Sequence, residues 1–347
     1  MQIFHSHRQS LHSPETFLVR GRRVPSPEGV KRSETLLAAL REHGHAVSWH
    51  DGTGSDRLMQ RLENIHSPRY LEFLRDIHKQ WHSLPGASDY VTPNVHPTRG
   101  APHYSAHPVG RAGWHLHDMA CPIGPQSYTG IIASAASAEL AAGAVIGGAR
   151  EAYALCRPPG HHAGPEHAGG FCFVNNTALA ASMLLERFAR VAVVDVDLHH
   201  GNGTQEIFYR RGDVWTGSIH ADPDRFYPFF WGAGDERGDG AGQDCNLNLP
   251  LPVGSGGETF LKALEQLLSE LDAYGPDAVI VALGLDAHKN DPLAGMTLET
   301  GDFARVGARL GRLPQPCVVI QEGGYPTGAL GGNLLAFLQQ FMNNRRD

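Results

Sequence analysis

The run Val191–Val194, four β-branched or small apolar residues in a row, most restricts how this chain can fold. Such a run suits a strand buried on both faces, the kind that a parallel sheet flanked by helices produces. The next residues, DVDLHHGNG, break that pattern with acids, histidines and glycines at the strand's end. Alternation along an extended chain sends Asp195, Asp197 and His199 one way, and Val196 and Leu198 the other. Two carboxylates and an imidazole converging at a buried strand end are costly unless positive charge offsets them, and a divalent cation is the simplest source. The alternative at this point is a cluster of polar residues hydrogen-bonded among themselves.

The rest of the chain repeats the same beat. Strand-like runs over 152–156, 191–197, 214–220, 278–283 and 317–321 alternate with helical patterns over 177–188, 257–274, 303–313 and 330–342, with a short helix around Glu206. Helices are also predicted over 28–42, from Ser67-Pro68 onward, and over the alanine-rich 127–148. This is an α/β pattern with a parallel sheet covered on both faces, and in such sheets ligands gather outside the carboxyl ends of the strands. Residues 1–5 are expected to form an edge strand and 14–27 a charged loop. Residues 83–126 resist periodic reading and are expected to be a long loop, functional or part of an interface. No low-complexity linker divides the 347 residues, so one domain over 1–347 is expected.

Charge and cysteine content exclude several classes. The net charge is −7, from 36 acidic against 29 basic residues, with no basic block; this argues against nucleic acid and suits a small cationic substrate. Cys121, Cys156, Cys172, Cys245 and Cys317 never form a CxxC pair and read as reduced core thiols. The start, MQIFHSHRQS, has no signal-peptide design, and no apolar run is read as approaching the ~20 residues of a membrane span, so a cytoplasmic protein without membrane partners is expected. His5, His7, His12, His103 and His107 are expected to be solvated in polar loops.

Four strand ends carry the chemistry. Asp197 and His199 come from one, and Asp286, in ALGLDAH, from another. Two acids and one imidazole leave coordination positions open, as a catalytic zinc site requires, although Asp286 alone is equally consistent with a helix cap or an exposed acid. His161-His162 lies in a loop after a strand, where solvation alone would explain it. Beside a metal, one imidazole can take a proton from water and later deliver one to a leaving amine. Asp195 and Asn202 are available to fix their tautomers: a carboxylate holds its histidine more cationic, whereas a neutral amide leaves the other able to act as base. Tyr325 follows two glycines; it either packs or donates its phenol to a carbonyl oxygen gaining charge. Phe171, Phe173, Phe226, Tyr227, Phe229, Phe230 and Trp231 make two aromatic-rich loops near the same edge.

Together RPPGHHAGPEHAGGFCFVNN, VDVDLHHGNGTQEIFY, GLDAHKNDPLAGM and QEGGY resemble the zinc-dependent histone deacetylase superfamily over roughly residues 1–340, most closely its bacterial acetylpolyamine amidohydrolases and class II deacetylase-like amidohydrolases. The resemblance implies the arginase-deacetylase α/β fold, with a central parallel sheet of about eight strands. It makes Asp197, His199 and Asp286 ligands of zinc, or of ferrous iron. It makes His162 the general base oriented by Asn202, His161 an electrostatic partner or acid linked to Asp195, and Tyr325 the donor to the substrate carbonyl. It further implies that the Gly170 carbonyl accepts the substrate N–H and that Phe171 and Tyr227 flank the acyl-bearing chain. A structural potassium ion would sit near Asp195, the backbone of Asp197 and His199, and Ser218. The 83–126 segment matches in place and size an insertion through which family members form homodimers and narrow their channels.

The expected substrate is a small acetylated amine, an acetylpolyamine or an acetyl-lysine side chain. Polyamine-selective members carry acids at the channel mouth; here Glu15 is the candidate, residues 100–117 are rich in histidine with only Asp118 following, and Leu293 stands where some members have glutamate. A dimetal ureohydrolase would need an aspartate at position 201, which is Gly201. A catalytically silent metal-binding or ligand-sensing protein of the same fold is the alternative from another class.

Overall fold

The computed structural model describes residues 1–98 and 100–345. Its strands are β1 (Gln2–His5), β2 (Thr16–Val19), β3 (Arg22–Pro25), β4 (Val47–Trp49), β5 (Glu151–Ala154), β6 (Val191–Asp195), β7 (Val214–Ala221), β8 (Asn246–Leu251), β9 (Ala278–Leu283) and β10 (Cys317–Gln321). Eight of them form one parallel sheet in the order β4-β1-β5-β10-β9-β6-β7-β8, while β2 and β3 pair as a separate antiparallel hairpin.

The expected burial on both faces is what β6 shows. Val191 and Val193 enter one core, with Tyr70, Phe73 and Ile77 of helix Pro68–His82 and Ile131 and Ala135 of helix Ser127–Ile146. Ala192 and Val194 enter the other, with Phe260 and Leu264 of helix Gly257–Tyr274, Val306 of helix Thr300–Gly311 and Phe337 of helix Leu330–Asn343. The register Val193↔Ile280 and Val194↔Val281 carries that alternation into β9. Each fully buried leucine or valine on these faces contributes about 1.5–3 kcal/mol of transfer free energy. The sheet is thereby fixed as a rigid platform under its carboxyl edge.

β6 stops at Asp195, not Asp197, for a local reason. Asp195 Oδ1 accepts the N–H of Asp197 at 3.0 Å, and Asp197 Oδ1 accepts that of His199 at 2.9 Å. Carboxylates that capture backbone N–H groups two residues onward compete with the sheet ladder and turn the chain out of it.

Several expectations are corrected. β1 is an interior strand between β4 and β5, because the three-residue β4 covers its outer side. Residues 16–25 form a hairpin whose turn residues, Arg20 and Gly21, both have positive φ (50° and 74°), as a tight two-residue hairpin turn requires. A helix over Asp56–Leu62, capped by Ser55 Oγ on the Leu58 N–H, was not anticipated. The 83–126 segment contains a helix, Pro108–His115, and an antiparallel bridge between Val91 and Ile123. β8 lies between the expected strand over 214–220 and the expected helix over 257–274, where no strand was anticipated. The helix Ser127–Ile146 is long and apolar enough to cross a membrane, contrary to expectation, but two thirds of it is buried in the core. His5 and His12 are not solvated either: His5 Nδ1 lies 2.9 Å from the Leu155 carbonyl and His12 Nδ1 2.8 Å from Ser127 Oγ, and burial pushes both imidazoles down.

Candidate active site

Every residue singled out at a strand end lies at the carboxyl edge of β5, β6, β9 or β10. Asp197 and His199 follow β6, and Asp286 follows β9, which neighbours it in the sheet. His199 Nδ1 lies 3.1 Å from Asp197 Oδ1 and 3.1 Å from Asp286 Oδ2, with all three side chains buried. The second carboxylate oxygens are anchored elsewhere: Asp197 Oδ2 accepts the Gly323 N–H at 2.7 Å, and Asp286 Oδ1 the Leu198 N–H at 3.0 Å. One oxygen of each acid therefore stays aimed at the shared point.

That point fits a divalent ion. Donor atoms about 2.0–2.2 Å from a tetrahedral metal sit roughly 3.3 Å apart, close to the separations here. Charge agrees: burial opposes a cationic His199, yet its two carboxylate partners raise its pKa to about 9. The site favours positive charge, which a dication held by these three donors would supply.

The tandem histidines face the same point from the loop after β5. His161 Nδ1 is 2.9 Å from Asp195 Oδ2, and His162 Nδ1 is 2.7 Å from Asn202 Oδ1. With carbonyl and carboxylate oxygens accepting, both histidines carry their proton on Nδ1. The two environments push them apart. Burial would lower His161, but Asp195 and Asp197 raise it to about 10. Burial, reinforced by repulsion from His161 and His199, holds His162 well below the ordinary imidazole range. The two environments thus favour a cationic ring at His161 and a neutral ring at His162, whose Nε2 is left without a proton.

Of these groups, His161, His162, Asp197 and His199 form the floor of a cavity of about 390 Å³, and Asp286 lies just behind it against His199. Gly170, Phe171, Tyr227, Leu293 and Tyr325 line it, with Phe17 and Phe226. Gly170 has a positive φ of 53°, and a Cβ there would lie 2.3 Å from the His162 ring, so only glycine lets this backbone reach the floor. Phe171 packs edge-on against Phe17 and Tyr325, and the Tyr227 ring stands perpendicular to His162 with centroids 4.9 Å apart. Glu15 does not line this cavity. With Arg23 and Asp89 it lines a neighbouring groove, which shares Phe17, Leu18 and Met119 with the cavity. Ser218 of β7 is in register with Asp195, and its hydroxyl lies 2.8 Å from His220 Nδ1.

The sequence matches the model of the family described as "Histone deacetylase domain" over residues 26–341. The chain belongs to the histone deacetylase family. It is 42% identical over 339 residues to an acetylpolyamine amidohydrolase of Burkholderia pseudomallei, covering 96% of each chain. It is 40% identical to acetylpolyamine amidohydrolase 1 of Pseudomonas aeruginosa, covering 98% of this chain and 99% of the other. A crystal structure of an acetylpolyamine aminohydrolase from Burkholderia pseudomallei superposes with a TM-score of 0.95 at 41% identity, over the whole of both chains.

Two acids hold this deacetylase-family site in shape without having been recognised in the sequence. Glu322, at the end of β10, accepts the N–H of Gly160 at 2.6 Å, the N–H of His161 at 3.0 Å and the Thr177 hydroxyl at 2.7 Å. It ties the histidine loop to the strand that carries Tyr325. Asp291 accepts the N–H of Tyr325 at 3.0 Å and of Leu293 at 2.9 Å, and burial together with Asp286 pushes its carboxyl up to about 7. The only available signal was an acid embedded in each motif, EGGY and NDPL. Asp118 has a structural part as well: its Oδ2 accepts the Gly170 N–H at 2.8 Å and the Tyr227 hydroxyl at 2.7 Å, fixing two walls of the cavity. At Gly201 a Cβ would lie 2.4 Å from Asp195 Oδ2, so the aspartate of a dimetal ureohydrolase does not fit there.

Proposed function

We propose that this chain hydrolyses the linear amide of small N-acetylated amines, releasing acetate and the free amine. The observation that carries the proposal is the convergence at one cavity floor of His199, in contact with Asp197 and Asp286, with His162 held by the Asn202 amide and His161 held by the Asp195 carboxylate.

Asp197, His199 and Asp286 would hold zinc, or ferrous iron, which when bound supplies Lewis acidity toward the amide carbonyl and acidifies water. His162, neutral and with Nε2 free, takes the proton from the attacking water. Tyr325 donates its phenolic O–H to the carbonyl oxygen as negative charge builds there. His161 stays protonated beside Asp195 and stabilises that charge. The proton held on His162 Nε2 then passes to the leaving nitrogen, whose own N–H is oriented by the Gly170 carbonyl. Phe171 and Tyr227 flank the acyl-bearing chain and exclude bulk water, and Leu293 packs beside it.

A potassium ion beside Asp195 and Ser218 belongs to the same proposal. His220 Nε2 lies 2.9 Å from the Gly232 carbonyl and so carries the ring proton, which makes Nδ1 the acceptor of the Ser218 O–H and leaves the Ser218 oxygen lone pairs for a cation. Self-association through residues 83–126 is also proposed; a sedimentation mass of twice the 37.6-kDa chain supports it, and the single-chain mass removes it.

The test of the activity is hydrolysis of N-acetylputrescine and an Nε-acetyl-lysine peptide by chelated and by zinc-reconstituted protein. Hydrolysis that returns with the metal supports the proposal. Tight zinc binding without hydrolysis of either amide would instead favour a silent metal-binding or ligand-sensing protein.

A further inference from the structure

The charge at the mouth of the cavity does not match a polyamine. Apart from the floor, the charged residues lining it are Arg20, Arg225 and Asp118. Arg20 sits at the tip of the β2–β3 hairpin, where its own φ of 50° and the 74° of Gly21 fix the turn that overhangs the cavity. Arg225 lies on the opposite loop, its backbone N–H bonded to the Asp222 carbonyl at 3.0 Å. Both side chains are exposed, and neither has a carboxylate partner among the described residues. Asp118 offsets them only in part, since it keeps its negative charge but is held to the walls by three neutral donors. Besides its bonds to Gly170 and Tyr227, its Oδ1 accepts the Ala120 N–H at 2.8 Å, so both oxygens are committed to the walls. Glu15, the acid that would greet a cation, faces the neighbouring groove.

Resting on the amidohydrolase reading above, we infer that the preferred substrate is an N-acylated amine whose far end bears an oxyanion, received by the Arg20 and Arg225 guanidiniums. A polyamine's distal ammonium would meet those two cations with the wall-bound Asp118 as the single carboxylate lining the cavity outside the floor to balance them. A carboxylate or phosphate meets planar donors suited to pairing with it. An exposed ion pair is worth about twofold to fivefold in binding, and the same guanidinium repels an ammonium. Exchanging ammonium for carboxylate across two arginines therefore changes kcat/KM by about tenfold or more.

The experiment compares 4-acetamidobutyrate, N-acetylputrescine, neutral N-acetylbutylamine and 3-acetamidopropyl phosphate with zinc-reconstituted full-length protein at low salt. The expected result is a kcat/KM for 4-acetamidobutyrate at least about tenfold above that for N-acetylputrescine. The ratio should fall toward one as salt rises to about 0.5 M, where the screening length is only a few ångströms. In the Arg20→Glu/Arg225→Glu double variant it should invert, and because it is a ratio of two substrates on one sample, partial loss of folded protein does not move it. Preference for the phosphate over the carboxylate identifies the oxyanion and supports the same assignment. Hydrolysis of the neutral amide with a carboxylate-to-ammonium ratio of one or less, or a ratio unchanged in the double variant, overturns the assignment alone. No hydrolysis of any of the four overturns the amidohydrolase reading and this inference with it.

Discussion

Replacing Tyr325 with phenylalanine removes one hydroxyl and leaves its surroundings intact. The ring packs edge-on against Phe171 with centroids 5.6 Å apart, and the Arg32 guanidinium stands 5.5 Å from its centre. Its backbone N–H is held by Asp291. None of these contacts needs the phenolic oxygen, which makes no hydrogen bond among the described residues. Folding should therefore hardly notice the change, with Tm moving by no more than about 2 °C. Catalysis should notice it strongly. A donor aimed at a developing oxyanion in a water-poor cavity contributes about 10²- to 10³-fold in kcat, or roughly 2.7–4 kcal/mol. Because that bond strengthens only as charge develops, kcat and kcat/KM should fall together while KM stays nearly constant. The assay is steady-state hydrolysis of an N-acetylated amine by zinc-reconstituted wild type and variant, with thermal melts on the same samples. A kcat within about threefold of wild type, in a variant of unchanged Tm, would refute the role given to the hydroxyl.

The remaining predictions concern the groups around it. Asn202→Asp puts a carboxylate 2.7 Å from His162 Nδ1 in place of an amide. A carboxylate favours the imidazolium by about 1–3 pKa units, and activity needs the neutral ring, so the acidic limb of the kcat/KM profile should move to higher pH by that amount; an unmoved limb removes His162 as base. Glu322→Ala leaves the Gly160 and His161 N–H groups buried without acceptors, at about 1–3 kcal/mol each, so urea unfolding should show a loss of about 2–6 kcal/mol along with most activity. Glu322→Gln keeps an acceptor for both and should recover much of the stability; equal loss in both variants would mean that the carboxylate's charge, not its hydrogen bonds, holds the loop.

Much of the fold was legible because its signals are local. Helix Gly257–Tyr274 and strands β9 and β10 fall where periodicity placed them, since each is a long amphipathic stretch or an unbroken apolar run with clear ends. β8 was missed although NLNLPL alternates strictly, because asparagine and proline are poor strand formers, and Pro250 is tolerated here on an edge strand. β4 is three residues long, too short to show a period, and its absence from the reading misplaced β1 at the edge. The extent of β6 depended on two side-chain captures of backbone N–H groups that no propensity encodes.

The site divides in the same way. Asp197, His199, His161, His162, Asp286 and Tyr325 stand out in sequence because acids, tandem histidines and a glycine-flanked tyrosine interrupt apolar strands. Glu322 and Asp291 do not, because their partners are backbone groups up to 162 positions away. Glu15 misled for the complementary reason: its nearness to the mouth depended on a hairpin that the sequence did not reveal, and that hairpin turns it into the adjacent groove. The same hairpin brings Arg20 and Phe17 to the cavity, neither of which had any motif to announce it.

The measurement that tests the central claim most directly is a zinc titration of chelated protein, followed both by calorimetry and by hydrolysis of an N-acetylated amine. Asp197, His199 and Asp286 as the ligand set predict that amide hydrolysis rises with zinc and saturates at one equivalent, and that Asp286→Ala abolishes both the tight calorimetric step and the activity. Hydrolysis that persists in the chelated protein, or an Asp286→Ala variant that binds zinc and turns over as the wild type does, would contradict it.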